Sequence, residues 1–598
     1  MSRKKKEIVK NIEYPWSDFQ KNIFSWIEHD QGHLVVEAVA GSGKTTTLVK
    51  CLDFIPSNSK VLMSAFNTDI VKELKKRTKD KENVEVRTLH GLGLLFIKRN
   101  FPKVNSIPEP FKYDAYIKNN IKELSSINTY TLKGREYFKY IENIKKFVDF
   151  GRFYLCQTVK DLEFIEERYG IDVIADEKEV AIDVMEWGKN ALETVDYTDM
   201  VWLPNVLYLK PLGLLYDFIF VDECQDLNRA ERELILKCFK MGTRMMSVGD
   251  TFQCLYNFAG SDPESFNVLK SLPNTKTLPL GITYRCGKNI VKYANRLVKA
   301  IQPADDAIDG EILENVSLDD IKDGDMILCR NNAPLIQIYN EYLKLGKKSY
   351  IRGKEIGSNL KAIVRSTKQE KLNVDCHEDG VFVRLYDDLF VSRNKIMEKF
   401  GIDAETAMDS PQLQNKLDMI NALEILAEGI NTSDEIIEKI DAIFSKKDKK
   451  SGISLSTVHK AKGLEAENVY IACHSLMPSK AAKKDWEIKQ EYNLMYVAYT
   501  RAKRILGFIE EKEFEKYNTS NLNSIAVLRR IEYQVNKVLG KNTTVIINDE
   551  TAKAIIQNAK KIENKIFTNA TIDFNSPSTM ASKRRVNSFA KLLKNKKK

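Results

Sequence analysis

Apolar positions along the chain follow two patterns, short continuous runs and longer stretches with helical spacing. Between residues 16 and 52, an amphipathic helix precedes an apolar run at 34–39, a glycine-rich turn and a second helix. Continuous apolar runs predict buried strands, and strands that alternate with helices predict a parallel sheet covered on both faces. The other strands predicted in this first half lie at 61–65, 84–86, 218–222 and 244–249.

Two long stretches, 100–194 and 359–450, replace the strand pattern with helical spacing rich in lysine and glutamate. Further strands are predicted at 325–328, 349–352, 453–457, 468–473 and 505–510. The fold class that follows is α/β, with two parallel-sheet domains that each carry a mainly helical insertion. The predicted domains are 1–99 with 195–279 and 280–358 with 451–550; the insertions are 100–194 and 359–450, and 551–598 forms a helix and a basic tail.

The charge balance narrows the choice of partner only slightly. Lysine and arginine number 93 against 83 acidic residues, a formal charge of +10 that suits a polyanion but is modest for 598 residues. Nine cysteines lie scattered without the close pairs of a disulfide framework or zinc finger, which predicts a reducing compartment. Because no apolar run reaches the roughly 18 residues of a membrane span, we expect a soluble cytoplasmic protein with no membrane partner. The basic end at 583–598 is either a solvated tail or a phosphate-binding arm.

The strongest chemical signal is the segment Glu37-Ala-Val-Ala-Gly-Ser-Gly-Lys-Thr-Thr46, between a predicted strand and a predicted helix. Small residues in such a turn let backbone amides face phosphate groups, and the start of the helix adds a favourable field. Lys44 would contact the β- and γ-phosphates and Thr45 would bind Mg²⁺, although Ala38 stands where the general pattern has its first glycine. The predicted nucleotide-binding residues of this loop are Ala40, Gly41, Ser42, Gly43, Lys44, Thr45 and Thr46.

A second signal is the segment Tyr216-Asp-Phe-Ile-Phe-Val-Asp-Glu-Cys-Gln-Asp226, in which two adjacent carboxylates follow an apolar strand. The carboxyl ends of strands are where α/β sheets bind ligands. Asp222 would hold Mg²⁺ through water, and Glu223 would orient and deprotonate the attacking water. Together with the loop at Lys44, this pair predicts an enzyme that hydrolyses a nucleoside triphosphate with Mg²⁺ as cofactor.

These motifs and others that follow them in order resemble those of the UvrD/Rep/PcrA group of superfamily 1 DNA helicases. In the first half, the other matching segments are Gln20, Ala65-Phe-Asn-Thr68, Thr88-Leu-His90, Asp196-Tyr-Thr-Asp199 and Gly249-Asp-Thr-Phe-Gln-Cys-Leu-Tyr-Asn-Phe-Ala-Gly260. In the second half, they are Thr283-Tyr-Arg285, Ile327-Leu-Cys-Arg-Asn331, Thr457-Val-His-Lys-Ala-Lys-Gly-Leu-Glu465 and Tyr496-Val-Ala-Tyr-Thr-Arg-Ala502. The resemblance implies two RecA-like domains with the nucleotide between them.

The resemblance also implies roles for individual residues. The implied catalytic residues are Lys44, Asp222, Glu223, Gln253, Arg285 and Arg501, the last as an arginine finger. Further nucleotide contacts are implied for Gln20 and Tyr284 at the adenine and for Glu465. The implied DNA contacts are Phe66, Asn67, His90, Tyr256, Phe258, Thr457 and His459. The two histidines are also open to two other interpretations, coupling between the domains and a purely structural role.

Two positions depart from the family pattern. Ala259 stands where the family usually has arginine, and Asn493 stands near a position that usually holds arginine or a similar base. We therefore expect one or two polar contacts of this region to be missing or rebuilt. Both insertions are shorter than those of the large bacterial members, an economy that would suit a virus-encoded protein.

The function that the resemblance implies is an ATP-dependent DNA helicase or translocase acting in replication, repair or recombination. The stretch at 255–258 is closer to that of 3′-to-5′ translocases. Expected partners are single-stranded DNA, DNA junctions and unidentified replication or repair proteins. Two alternatives stay open. One is an RNA-directed motor, since phosphate-tracking grooves do not by themselves distinguish sugars. The other is a nucleotide-switched module that binds nucleic acid or strips proteins from it without unwinding.

Overall fold

The computed structural model describes residues 16–510 and 512, apart from 66–67, 128, 130–131, 133–134, 256–259, 263, 375–378, 403 and 445–450. Four predicted DNA contacts lie outside the described residues, namely Phe66, Asn67, Tyr256 and Phe258. The predicted helix and basic tail at 551–598 lie outside them as well.

Strands and helices alternate along most of the described chain. The strands are β1 (His33–Ala38), β2 (Val61–Ala65), β3 (Val84–Thr88), β4 (Tyr216–Val221), β5 (Phe239–Gly249), β6 (Thr275–Leu280), β7 (Ile282–Thr283), β8 (Gln302–Pro303), β9 (Glu311–Val316), β10 (Met326–Cys329), β11 (Ser349–Ile351), β12 (Ile453–Thr457), β13 (Ala466–Ala472) and β14 (Ala502–Ile509). The α-helices are α1 (Asp18–His29), α2 (Lys44–Cys51), α3 (Thr68–Arg77), α4 (Leu89–Asn100), α5 (Lys112–Leu124), α6 (Arg135–Phe153), α7 (Val159–Tyr169), α8 (Glu177–Asn190), α9 (Tyr197–Val206), α10 (Arg229–Leu236), α11 (Ser265–Lys270), α12 (Lys288–Ala294), α13 (Ala333–Lys344), α14 (Lys354–Ser366), α15 (Val381–Phe400), α16 (Ala404–Met408), α17 (Pro411–Leu426), α18 (Ser433–Phe444) and α19 (Asp485–Tyr499).

Two six-stranded sheets organise these elements. The first has the strand order β3-β2-β4-β5-β1-β6 and the second the order β11-β12-β10-β13-β14-β9. All their paired strands run parallel. Central strands such as β2 and β10 are buried along their whole length, which is why their sequences read as continuous apolar runs. The predicted α/β class with two parallel sheets is therefore confirmed. We call the first sheet with its helices the first unit and the second sheet with its helices the second unit.

Each strand predicted from an apolar run is present, whereas β6, β7, β8 and β9 have no such run. β6 and β9 each form one of the two edges of their sheet, and most of their residues are partly or fully exposed. Strands with so few buried residues need few apolar side chains, so their sequences lack the signal of a buried strand. The opposite edge strands, β3 and β11, were nevertheless predicted. β5 also begins earlier than predicted, at Phe239, because its first residues are largely exposed.

Helices occupy the described parts of both predicted insertions. α5 to α8 lie between α4 and α9, and α14 to α18 lie between β11 and β12. Each group shares its hydrophobic core with a sheet: one cluster includes Phe147 of α6 and Ile219 of β4, and another includes Leu423 of α17 and Ile327 of β10. The domain limits stay predictions. Within the described residues, no helix combines the length and apolar character that crossing a membrane requires.

The carboxyl ends of the strands carry the chemical groups of the motifs, as expected for a parallel α/β sheet. In the first sheet, β1 leads into the glycine-rich loop, β4 into Asp222 and β5 into Asp250. β3 ends at Thr88, two positions before His90, at the same edge of that sheet. In the second sheet, β12 ends at Thr457. The loop and both acidic segments therefore meet around three neighbouring strands.

Candidate nucleotide site and nucleic-acid interface

The loop between β1 and α2 has the backbone shape of a phosphate-binding turn. Gly41 and Gly43 adopt φ angles of 71° and 77°, in the left-handed region that favours glycine. α2 begins at Lys44, so its first amides are free of helical hydrogen bonds and point into the loop. The Ser42 hydroxyl is buried and has no hydrogen-bond partner among the described residues. Free amides and an unpaired buried hydroxyl fit the phosphate tail of a nucleotide.

Lys44, Thr45 and the two carboxylates after β4 meet beside this loop. Lys44 Nζ lies 3.1 Å from Glu223 Oε1, and Thr45 Oγ1 donates a hydrogen bond of 3.1 Å to Asp222 Oδ2. Burial and the neighbouring Glu223 raise the pKa of Asp222 to about 6. Burial also acts to raise the pKa of Glu223, but the positive charges of Lys44 and Lys462 outweigh it and lower that pKa to about 2. The hydroxyl and carboxylate at Thr45 and Asp222 are oxygen ligands of the kind that Mg²⁺ takes together with phosphates and water.

A buried amide network connects these carboxylates to the end of β5. Gln225 Nε2 donates a hydrogen bond of 2.6 Å to Glu223 Oε2, while Gln225 Oε1 accepts one of 3.0 Å from the Asp250 amide. Gln253 Nε2 donates a hydrogen bond of 2.6 Å to Asp250 Oδ2. Gln253, one of the implied catalytic residues, is therefore fixed to the same network that holds Glu223.

The predicted adenine contacts, Gln20 and Tyr284, lie beside each other next to the loop. The Tyr284 hydroxyl donates a hydrogen bond of 3.4 Å to Gln20 Oε1, and Gln20 Nε2 donates one of 3.0 Å to Thr47 Oγ1. Gln20 is buried, whereas Tyr284 is 42% exposed. An accessible ring beside a fixed amide can stack on a base while the amide reads the edge of that base.

Arg285 and Arg501 reach this region from the second unit. Arg285 Nε lies 2.7 Å from Glu465 Oε2, and its Nη1 donates a hydrogen bond of 3.2 Å to the Thr500 carbonyl. Arg501 Nη2 donates one of 3.3 Å to Gln253 Oε1 in the first unit. The described hydrogen bonds of Arg501 all go to amide, hydroxyl or carbonyl oxygens.

Burial and the nearby charge of Arg285 lower the pKa of Arg501 to about 9, so its guanidinium remains charged at neutral pH. Only 1% of the Arg501 surface is exposed. A buried cation held by neutral oxygens retains most of its charge for an anionic ligand, and a guanidinium matches the geometry of phosphate oxygens. Arg501 therefore fits contact with the terminal phosphate of a nucleotide.

Two further residues of the cleft, Lys462 and Asp226, have no role in the prediction from sequence. Lys462 forms a buried ion pair with Asp226, and its ammonium donates a hydrogen bond of 2.7 Å to the Gln253 carbonyl. Both residues stand inside the matching segments quoted above. Their opposite charges were the available signal, because the family resemblance places both motifs at the same cleft.

One of the two departures from the family pattern has a rebuilt contact. Asn493 of α19 is buried, and its Nδ2 donates a hydrogen bond of 3.1 Å to the Cys254 carbonyl and one of 3.4 Å to the Thr251 carbonyl. A side-chain amide thus joins α19 to the segment after β5. The other departure, Ala259, lies outside the described residues.

Three of the predicted DNA contacts are described, namely His90, Thr457 and His459. Thr457 is buried, whereas both histidines are partly exposed. Burial lowers the pKa of His90, and burial together with the charge of Arg330 lowers the pKa of His459 to about 3. At physiological pH, His459 would meet a nucleic acid as a neutral imidazole and not as a cation. The DNA-binding roles stay predictions.

Ion pairs within the protein occupy most of the segment 196–199, one of the segments that resemble the family's motifs. Arg152 Nη1 lies 2.8 Å from Asp196 Oδ2 and 3.1 Å from Asp199 Oδ1, and Lys112 Nζ lies 2.7 Å from Asp199 Oδ2. These buried ion pairs join α9 to α5 and α6. The Tyr197 ring is 55% exposed and lies 6.4 Å from the His90 ring, so it is the part of the segment most open to a ligand.

Comparison with known families matches the two units in order. Residues 19–273 match the UvrD/REP helicase N-terminal domain, and residues 354–513 match the UvrD-like helicase C-terminal domain. The chain belongs to the UvrD/Rep helicase family. The two matches of this UvrD-like chain include the glycine-rich loop, both acidic segments and Arg501.

Curated relatives of this UvrD-like chain are named as DNA helicases. ATP-dependent DNA helicase PcrA of Staphylococcus epidermidis is 22% identical in an alignment 604 positions long that covers 80% of this chain and 81% of PcrA. F-box DNA helicase protein 1 of Schizosaccharomyces pombe is 25% identical over 525 residues, or 79% of this chain and 55% of that protein. F-box DNA helicase 1 of Gallus gallus is 25% identical over 506 residues, which cover 80% of this chain and 47% of that protein. The chain thus spans about half the length of these F-box helicases. The bacterial, fungal and avian relatives lend no support to a viral origin.

Proposed function

We propose that this chain is an ATP-dependent DNA helicase that moves along single-stranded DNA in the 3′-to-5′ direction. The observation that carries the proposal is a single cleft that draws its charged groups from both units. Lys44 and Glu223 belong to the first unit, while Arg501 and Lys462 reach them from the second. Membership of the UvrD/Rep family and the names of the relatives support ATP as the nucleotide that is hydrolysed and DNA as the nucleic acid that is bound.

Hydrolysis in this cleft relies on charge placed around the terminal phosphate. Lys44, Arg285 and Arg501 would stabilise the charge of the transition state, and an arginine supplied across a cleft contributes about 10³–10⁵ in rate. Mg²⁺ held by Thr45 and Asp222 would neutralise charge on the β- and γ-phosphates. Because Arg285 and Arg501 belong to the second unit, full activity requires the two units to be closed on each other.

Glu223 is the group that would accept a proton from the attacking water. In the closed cleft its carboxylate is paired with Lys44 at 3.1 Å, which helps to hold its pKa low. When Lys44 instead contacts the phosphates of ATP, Glu223 loses part of this neutralising charge and becomes a stronger base. ATP binding would thereby activate the base that ATP hydrolysis needs.

Movement along DNA would follow if the protein binds the single strand of DNA differently in its closed and open states. Among the described residues, the predicted DNA contacts lie at carboxyl ends of β-strands: His90 follows β3, Thr457 ends β12 and His459 follows it. Each base stacked on an aromatic side chain contributes roughly 1–3 kcal/mol. Loss of the γ-phosphate removes the ligand that Arg285 and Arg501 share with the first unit, so the units separate and the grip changes.

The test is ATP-dependent strand separation by the full chain on duplexes with a 3′ tail, a 5′ tail or no tail. We expect separation only from the 3′ tail, with no hydrolysis or separation by Lys44→Ala although it still binds single-stranded DNA. Separation only from the 5′ tail would contradict the direction. Wild-type turnover by Lys44→Ala would contradict the nucleotide site.

The same preparation distinguishes the two alternatives. Hydrolysis stimulated by poly-U but not by poly-dT would indicate an RNA-directed motor, since the strand grooves of such proteins do not by themselves exclude ribose. Slow hydrolysis that neither polymer accelerates, without strand separation, would indicate a nucleotide-switched binding module. Stimulation by poly-dT without separation would indicate a translocase that strips proteins from DNA.

A further inference from the structure

The second unit holds the glycine-rich loop by its backbone. The Ala40 amide donates a hydrogen bond of 3.0 Å to the Tyr496 hydroxyl, and the next carbonyl, that of Gly41, accepts one of 2.9 Å from the Tyr284 amide. Ala40 is fully buried in a hydrophobic cluster that also contains Tyr496 and Cys286. Two consecutive residues of the loop therefore depend on the second unit for their hydrogen bonds.

Tyr496 connects the loop to the groups that face the terminal phosphate. Its hydroxyl also donates a hydrogen bond of 3.5 Å to Asp250 Oδ2, the same oxygen that accepts 2.6 Å from Gln253 Nε2. Gln253 Oε1 in turn accepts a hydrogen bond from Arg501. A continuous chain of hydrogen bonds thus runs from the Ala40 amide through Tyr496, Asp250 and Gln253 to Arg501.

We propose that the Tyr496 hydroxyl is a positioning group for ATP hydrolysis, which holds the Ala40 amide and the Asp250 carboxylate together across the interdomain cleft. The loop then has its productive shape only while the two units are closed. This inference rests on the proposed function, because it assigns Tyr496 a part in the hydrolysis that drives the motor. Tyr496 contacts the loop through the Ala40 backbone and leaves the amides at the start of α2 for the phosphates.

The chain provides a matched control in Tyr499. Tyr499 lies on the same helix, is likewise buried, and forms a hydrogen bond of 2.7 Å between its hydroxyl and His474 Nε2 within the second unit. Tyr496→Phe and Tyr499→Phe each remove one buried hydroxyl from α19. A loss of stability should therefore be similar in both variants, while only the first breaks the bond to the loop.

The experiment compares both variants with the wild-type chain in DNA-stimulated ATP hydrolysis. We expect kcat of Tyr496→Phe to fall about tenfold, the size of effect of one buried hydrogen bond, with KM for ATP changed less than about twofold. Tyr499→Phe should keep both constants. Wild-type kcat in Tyr496→Phe, or an equal loss in Tyr499→Phe, would overturn the proposal.

A second readout does not depend on hydrolysis. Amide hydrogen exchange in a peptide that covers residues 39–43 should be faster in Tyr496→Phe than in the wild type or in Tyr499→Phe. If the wild type hydrolyses no ATP but this difference is present, the contact stands and the proposed function fails. If exchange is the same in all three proteins, the contact itself is refuted, whether or not DNA stimulates hydrolysis.

Discussion

Lys462 and Asp226 form a buried ion pair that joins the two units across the nucleotide cleft. Their side chains are only 9% and 1% exposed, and Lys462 also donates a hydrogen bond to the Gln253 carbonyl. Loss of one partner would leave the other as an unpaired buried charge, which costs about 3–5 kcal/mol. The pair therefore favours the closed arrangement only while both charges are present.

Asp226→Asn should slow DNA-stimulated hydrolysis at least about tenfold, because the closed state must then bury the charge of Lys462 without its partner. Lys462→Met should slow it as well. The double variant should be faster than the product of the two single effects predicts, since it buries no unpaired charge. Measurement of kcat in all four proteins tests this, and strictly multiplicative losses would show that the two residues act independently.

Gly41→Ala should impair nucleotide binding for two reasons. Its φ of +71° lies in the left-handed region, and an added Cβ would lie 2.6 Å from Arg285 Cβ and 2.7 Å from Thr283 Oγ1. The matched control is Gly170→Ala, whose φ is +62° but whose Cβ would meet nothing within 4 Å. Both variants carry the backbone strain of about 1–2 kcal/mol, but only Gly41→Ala should raise KM for ATP. Equal kinetics in the two variants would mean that the units do not close on the loop.

Glu231→Gln should stabilise the protein at pH 8 but not at pH 5. Burial raises the pKa of Glu231 to about 7, although its carboxylate accepts a hydrogen bond from the Asn228 amide. The folded protein therefore keeps a proton there that the unfolded chain loses above about pH 4.5, so this contribution to stability is lost as pH rises through 7. The gain from the variant at pH 8 is expected to be at most about 3 kcal/mol, seen as a higher melting temperature.

The control for this pH dependence is Glu435, whose carboxylate also accepts backbone hydrogen bonds next to the start of a helix. Hydrogen bonds from the Asn431 and Thr432 amides lower the pKa of Glu435 in the folded protein. The ionised carboxylate therefore stabilises the folded state at pH values above the pKa of glutamate in the unfolded chain. This stabilisation is lost as pH falls through the lower pKa of the folded state. Glu435→Gln should therefore lower the melting temperature at pH 5 and at pH 8. If Glu231→Gln behaves in the same way, the assigned burial of Glu231 is wrong.

Arg152→Met should destabilise the first unit by about 3–5 kcal/mol, because Asp196 and Asp199 would lose the guanidinium they share in a buried site. The control is Arg384→Met, which breaks an exposed pair with Asp379 and should cost less than about 1 kcal/mol. Unfolding in urea, followed by circular dichroism, measures both effects. Equal midpoints for the two variants would contradict the buried network.

The sequence pattern predicted every interior strand of the two sheets but only one edge strand of each, β3 and β11. β2 and β10 are buried throughout and read as apolar runs, whereas the edge strands β6 and β9 face solvent and are mixed in sequence. The parallel order of the strands also requires contacts that periodicity does not encode. Burial therefore made the interior strands predictable, whereas β6 and β9, with one buried residue each, gave no apolar run.

Within the site, local motifs located the groups that lie on one segment, such as Lys44 and Thr45. Contacts between distant segments had no local signal. Ala40 and Tyr496 are 456 positions apart, and neither residue type indicates in the sequence that the two form a hydrogen bond. The pair of Lys462 and Asp226 is of the same kind, since the two residues meet only because the first and second units contact each other.

The hydrophobic cluster that contains Phe147 of α6 also contains Val221, the last residue of β4 before Asp222. The predicted insertion thus packs against the strand that precedes the predicted catalytic carboxylates. A substitution in α6 that altered this packing would change the position of Asp222 without changing a residue predicted to contact ATP or DNA. We therefore expect substitutions in the helices of this predicted insertion to alter the rate of ATP hydrolysis, although these helices contribute no residue of the candidate nucleotide site.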